Sequence, residues 1–161
     1  MALRLLDNTS PPLQDKVTQP GGMLTEVWSR WFGRLPATLN AIPSILNVVE
    51  LSAQGTSISP TDFAGTILLQ GLYRVSYIAR ISRAATVSSS LTVTLAWTTS
   101  AVAMSYVGGA IIGNTTTSYQ SVTLLIRSDA SLPVTFSTTY ASAGGTSMQY
   151  DLDVVIERIK V

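Results

Sequence analysis

Gly71-Leu72-Tyr73-Arg74-Val75-Ser76-Tyr77-Ile78-Ala79-Arg80-Ile81-Ser82 carries the clearest pattern in the chain. Tyr73, Val75, Tyr77, Ala79 and Ile81 fall on one parity, and Arg74, Ser76, Arg80 and Ser82 on the other. A two-residue period with aromatic and β-branched residues on one side is a strand with one face on a core and the other turned away from it. The same pattern recurs downstream. Leu91, Val93, Leu95 and Trp97 stand opposite Thr92, Thr94 and Thr98, and Val134, Phe136 and Tyr140 stand opposite Thr135, Ser137 and Thr139. By its parity Trp97 belongs to the core. Further strands are expected over Ile45–Ala53, Asp62–Gln70, Ala103–Ile112, Tyr119–Arg127 and Ser147–Lys160. The Gln54–Pro60 segment reads as a turn, and Gly108 and Gly109 interrupt the fifth strand at a bulge. About eight strands spaced near a dozen residues apart make the fold class mainly β: an antiparallel jelly-roll sandwich over residues 44–161.

Between Arg83 and Arg127 no side chain is charged, although Ser and Thr are frequent. A free-standing sandwich usually keeps charge on its outer strand faces. A charge-free half therefore predicts that copies of the chain cover one another. Charged residues make up 12% of the 161 residues, about half the usual share, which fits an assembled β-protein better than a disordered one.

The region before the sandwich divides in two. Residues 1–22 hold Pro11, Pro12, Pro20, Gly21 and Gly22 among polar residues, a composition that cannot close its own core. They read as an extended docking arm whose pegs are Leu5, Leu6, Leu13 and Val17. Residues 23–43 change to a helical period: Trp28, Phe32, Leu35, Leu39, Ile42 and Leu46 alternate at spacings of four and three. Trp31 widens this apolar stripe, Pro36 predicts a break or kink, and Pro43 ends the helix. Trp28, Trp31, Phe32, Leu35 and Leu39 are the expected docking residues of this anchor.

The composition also removes whole classes of chemistry. Cys and His are both absent, which excludes disulfides, thiolate and imidazole metal sites, and Ser-His or Cys-His nucleophile pairs. The net charge is +1 without a Lys/Arg cluster, so a phosphate-tracking groove lacks its source of affinity. No stretch approaches about 20 unbroken apolar residues. No enzyme activity, cofactor, metal, nucleic acid or membrane insertion is expected. Asp151 and Asp153 share a strand face but are too few for a hard-cation site. Asn114-Thr115-Thr116 matches a glycosylation acceptor pattern that a Ser/Thr-rich chain meets by chance. Arg74 and Arg80 are expected either to pair with acids across a subunit contact or to keep their edge soluble. Tyr106 and Tyr119 are candidates for a ligand surface on which a host-surface glycan stacks.

Gly71-Leu72-Tyr73-Arg74-Val75-Ser76-Tyr77 after Phe63, with the closing run Tyr150-Asp151-Leu152-Asp153-Val154-Val155-Ile156-Glu157-Arg158-Ile159, resembles trimeric jelly rolls of the tumour-necrosis-factor type. Together with Trp28-Ser29-Arg30-Trp31-Phe32 ahead of the β-domain, the chain is also similar to small virion proteins of tailed bacteriophages. The resemblance implies a homotrimer located in the virion, fastened to other virion proteins by its N-terminal arm and helix. It implies a structural part in head, neck, tail, fibre or decoration, with a glycan-binding fibre tip as the alternative.

Overall fold

The computed structural model describes residues 28–30, 32, 43–62 and 69–160. The chain divides into two compact units, Met1–Ile42 and Pro43–Val161. In the first, Trp28–Arg30 and Phe32 are helical, and the Trp28 and Phe32 rings meet one turn apart with centroids 5.8 Å from each other. Leu5, Leu6, Leu13, Val17, Trp31, Leu35 and Leu39 lie outside the described residues, as do the arm, the Pro36 break and residues 63–68.

The second unit is an antiparallel β-sandwich with nine strands among the described residues: β1 Ser44–Gln54, β2 Ile58–Asp62, β3 Gly71–Arg83, β4 Ser89–Thr99, β5 Val102–Val107, β6 Ile111–Ile112, β7 Tyr119–Ser128, β8 Thr135–Ser142 and β9 Gln149–Lys160. One sheet has the order β1-β9-β3-β7, and the other the order β2-β8-β4-β5 with β6 beside β4. The first strand pairs with the last, the second with the eighth, the third with the seventh, and the fourth with the fifth and sixth. Such nested pairing is a long antiparallel ribbon rolled on itself, the topology of a jelly roll.

The core lies between the sheets. Tyr73, Val75, Tyr77, Ala79 and Ile81 of β3 and Tyr150, Leu152, Val154 and Ile156 of β9 meet Leu91, Val93 and Leu95 of β4 and Phe136 of β8. Each set follows the period-two parity, because neighbouring side chains of a strand point to opposite faces. Trp97 has the inward parity but is only half-buried, packed against the margin of the core at the end of β4.

Three readings of the sequence change. β2 occupies Ile58–Asp62, within and just past the segment read as a turn. Pro60 misled that reading; it is tolerated because, among the described residues, β2 pairs only with β8 and needs no ladder donor on its other edge. The fifth strand divides into β5 and β6 around Gly108–Ala110, where the Gly108 N–H donates to Val93 O at 2.9 Å. The charge-free stretch does not form a single sheet either. It supplies β4, β5 and β6 to one sheet and most of β7 to the other.

Three buried phenols are hydrogen-bonded at the core, and that of Tyr150 joins the two layers. The Tyr77 hydroxyl donates to Gln120 Oε1 at 2.6 Å, Tyr73 to Leu69 O at 2.6 Å, and Tyr150 to Thr56 O at 2.9 Å beside Thr138. Burial, with Tyr106 beside it, pushes the Tyr77 phenol up to about 12, so it remains a donor. Gly108 makes room for this contact: a Cβ there would collide with the Tyr77 hydroxyl and stand 2.6 Å from Gln120 Oε1.

Two carboxylates hold turns that use positive φ without glycine. Ser100 and Ala101 (φ 50° and 61°) form the two-residue β4–β5 hairpin, a backbone usually supplied by Asn-Gly. Both of their N–H groups donate to the Asp129 carboxylate, at 2.9 and 2.8 Å. Ala53 (φ 53°), at an irregularity where β1 leaves its register with β9, donates to Asp151 Oδ1 at 2.8 Å. The Ala101 and Ser100 amides hold the Asp129 carboxyl below its ordinary range. At Asp151 burial acts upward, but the Ala53 amide, the Ser82 hydroxyl and Arg80 outweigh it, and the net direction is down.

Gly108→Ala is expected to break the Tyr77–Gln120 bond and crowd the core, costing about 1–3 kcal/mol in chemical denaturation; unchanged stability would refute the packing role. Because both carboxyl groups are depressed in the fold, their contribution is present above the unfolded aspartate value, about pH 4. It is lost as pH falls through the lower folded values. Asp129→Asn and Asp151→Asn should each lower the melting temperature at neutral pH and approach the parent protein in acid, as followed by circular dichroism.

Candidate functional site

The outer face of the β1-β9-β3-β7 sheet combines charge with exposed apolar side chains. Its cross-strand rows follow from the register. Ile45, Glu157, Arg74 and Leu125 form one row; Val48, Val155, Ser76 and Thr123 the next; then Glu50, Asp153, Ile78 and Ser121; and finally Asp151, Arg80 and Tyr119. Ile45 (63% exposed), Val48 (44%), Ile78 (48%) and Leu125 (65%) all stand out from this face.

The charges among them are largely paired within the chain. Arg74 Nε donates to Glu157 Oε2, and Arg80 reaches Asp151 Oδ2 with its Nη2 at 2.8 Å. Arg74, through its hydrogen bond and charge, holds the Glu157 carboxyl below the usual range. The acids expected across a subunit contact are thus supplied by the neighbouring strand of the same chain. Four of the six charged residues in these rows are neutralised in this way, while Glu50 and Asp153, opposite each other in the row of Ile78, make no ion pair among the described residues; pairing lowers the charge that must be desolvated at a contact.

The outer face of the other sheet has a different character. Its residues are Thr92, Thr94, Ala96 and Thr98 on β4, Thr135, Ser137 and Thr139 on β8, and Ala103, Ser105 and Val107 on β5. It is hydroxyl-rich and carries Asp62 at the β2 edge. At the edge where β1 faces β2, an opening of about 330 Å³ is lined by Val49, Leu51, Ile58 and Phe136, with Asp62 at its rim.

The two tyrosines proposed as one ligand surface are not brought together. Tyr106 pairs with Leu95, has the inward parity and packs half-buried against the core near Tyr77. Tyr119 begins β7 in the other sheet, opposite Arg80, and is 71% exposed. Among the described residues no group of three or more acidic side chains is placed to hold a metal ion, and no helix is long and apolar enough to cross a membrane.

Ile45, Val48, Ile78 and Leu125 are the surface residues that sequence reasoning missed, and the sequence does contain their signal. Ile45-Leu46, Val48-Val49 and Leu124-Leu125 are apolar doublets in period-two strands, so one member of each breaks the alternation. Val49 and Leu124 pack against the core while Val48 and Leu125 face out. Ile78 occupies the polar parity between Arg74 and Arg80.

No family model matches the chain, and no curated protein matches it. Among solved structures it is similar to the PRD1 vertex protein P5, with a TM-score of 0.43 and 15% identity over 72% of this chain and 99% of that one.

Proposed function

We propose that this chain is a structural virion protein of a tailed bacteriophage, which forms a homotrimer through its β-domain and docks onto other virion proteins by its N-terminal arm and helix. The observation that carries the assembly half is the outer face of the β1-β9-β3-β7 sheet. Exposed Ile45, Val48, Ile78 and Leu125 are interleaved there with ion pairs satisfied inside the chain. Apolar surface removed from water contributes about 25 cal/mol per Å², and flat apolar sheet faces left in water invite non-specific association. This face, which takes Leu125 from the charge-free stretch, is the proposed contact; on the other sheet the outward side chains of β4 and β8 are hydroxyls and alanines that gain little from leaving water, with Val107 and Ile112 exposed on β5 and β6.

The virion half is supported by the likeness of the Trp-rich segment and the closing strand to small phage virion proteins. In this reading Leu5, Leu6, Leu13 and Val17 are the arm's pegs, and Trp28, Trp31, Phe32, Leu35 and Leu39 are the apolar stripe of the anchor. The protein's work is burial of surface between chains, and no catalytic residue, cofactor or metal takes part in it.

Light scattering on the purified protein should give three times the chain mass, and Ile78→Asp or Leu125→Glu should give a folded monomer with the parent's circular dichroism. A parent protein that is monomeric at micromolar concentration would refute the trimer. Removal of residues 1–22 should leave the trimer intact and abolish incorporation into particles in a complementation assay. Normal incorporation would refute docking by the arm.

A further inference from the structure

Among the described residues the two sheets end in β1 and β7 and in β2 and β5. Three of these edges carry features that discourage pairing with another chain. β1 leaves its register with β9 near both ends and holds Glu50; β2 has five residues, a register shift, Pro60 and Asp62; β5 has only six residues. Short length, bulges, proline and charge are the usual means by which an edge avoids adding a foreign strand. β7 lacks them. It runs against β3 for its whole length without a register shift, and residues 119–126 contain no charge, proline or glycine.

The ladder fixes where its free backbone groups point. Ile81 N donates to Ser118 O at 3.1 Å, and along an antiparallel pair the residues that exchange backbone bonds alternate with those that do not. The even positions of β7 from Gln120 to Ser128 therefore bond to β3, while Tyr119, Ser121, Thr123, Leu125 and Arg127 turn their N–H and C=O groups to the opposite edge. Thr123 Oγ1 lies 3.0 Å from Ser76 Oγ, as fits a pair without backbone bonds, in which side chains stand closer. Among the described residues no strand meets this edge.

The five open positions are symmetric about Thr123. When a second β7 lies antiparallel along the edge with Thr123 opposite Thr123, Ser121 meets Leu125, Tyr119 meets Arg127, and each free N–H faces a C=O. A shift of two residues either way leaves open groups at the ends. The strand's single charge, Arg127, then reaches the ring of Tyr119, which is 71% exposed, and stays far from its own symmetry mate. Val122 falls opposite Leu124, so both inner faces remain on one side of the joined sheet. A patch that complements itself in this way is what two-fold pairing requires.

We infer that β7 is a two-fold contact, at which a second copy of this chain adds its own β7 and the two β1-β9-β3-β7 sheets become continuous. The contact goes beyond the proposed trimer, because it uses the edge of the sheet and not its face. One pair of strands buries little beside the roughly 1,200 Å² of stable interfaces, so the contact forms where chains are crowded, as tethering to a common surface makes them.

Sedimentation of the full chain from micromolar to submillimolar concentration should show the native mass doubling as the concentration rises. The chain has no Cys, so an introduced thiol reports a single contact. Thr123→Cys should form a disulfide between chains under mild oxidation, since opposed Cα atoms of a hydrogen-bonded pair stand about 5.5 Å apart, within disulfide reach, and the linked species should have twice the native mass. Tyr119→Cys alone should not link, its two copies being about 27 Å apart along the strands, whereas Tyr119→Cys combined with Arg127→Cys should. Thr123→Pro removes an N–H that β3 does not use and should abolish the doubling while keeping the parent's circular dichroism; should it misfold, the cysteine variants decide alone. A mass that never doubles, a doubling in which Thr123→Cys stays unlinked, linking without a doubled native mass, equal linking by Tyr119→Cys, or a doubling that persists in folded Thr123→Pro would each overturn the contact. A trimer whose mass never doubles defeats this inference and leaves the assembly reading standing. A monomer that pairs into a dimer does the reverse.

Discussion

Three tyrosine hydroxyls placed inside an apolar layer impose the constraint on which the rest of the sandwich depends. A phenol is large enough to span much of the gap between two sheets, but a buried hydroxyl without a partner costs more than its ring gains at the margin. Tyr73, Tyr77 and Tyr150 therefore dictate where Leu69, Gln120, Thr56 and Thr138 must lie. Those partners belong to segments that make no long ladder with the tyrosine's own strand, with Gln120 the exception, paired through Ala79 to β3. Gly108 is the corollary, a position where the β5–β6 bulge comes so near to one of these bonds that no side chain can be present. Tyr150 thereby ties β9 to β8 of the opposite layer and Tyr77 ties β3 to its neighbour β7, while the surrounding aliphatic groups supply most of the driving force.

Much of this fold is legible in the residue order because a half-buried strand carries its own parity. Apart from residues such as Leu72, Ile78 and Val155, β3, β4, β8 and β9 keep apolar and polar residues on alternate parities, and their inward sets make up most of the observed core. Legibility fails where geometry is decided by distant partners. Ser100-Ala101 has none of the usual residues of a tight hairpin, since the carboxylate that stabilises it comes from Asp129, beyond the end of β7. Pro60 looked like a terminator because nothing local reveals that β2 lies at an edge. The candidate contact face was hidden in a different way: Val48 and Leu125 were absorbed into core-seeking runs, although a pleated strand cannot bury both members of an apolar doublet on one side.

Charge is distributed by sheet rather than by stretch of sequence. The run without ionised side chains splits between the layers: exposed Tyr119 and Leu125 belong to the layer that also carries Arg74, Arg80, Asp151 and Glu157, and exposed Val107 and Ile112 to the other. Since those ions neutralise each other along the ladder, the charged layer is electrostatically quieter than its composition suggests. Among the described residues, the strands of the hydroxyl-rich layer carry one carboxylate, Asp62 on edge strand β2, and no Lys or Arg.

The pairing of β1 with β9 has a consequence for synthesis. Among the described residues the first strand of the sandwich finds its only ladder partner in the last, so during translation it waits for nearly the whole domain to leave the ribosome before its backbone groups are met. Closing so long a loop makes such topologies slow to form and leaves early strands open to wrong partners meanwhile. Ile45, Leu46 and Val48 make that delay hazardous, while the bulges at both ends of β1 and the single charge of Glu50 are the features in the strand itself that discourage stacking with another nascent copy.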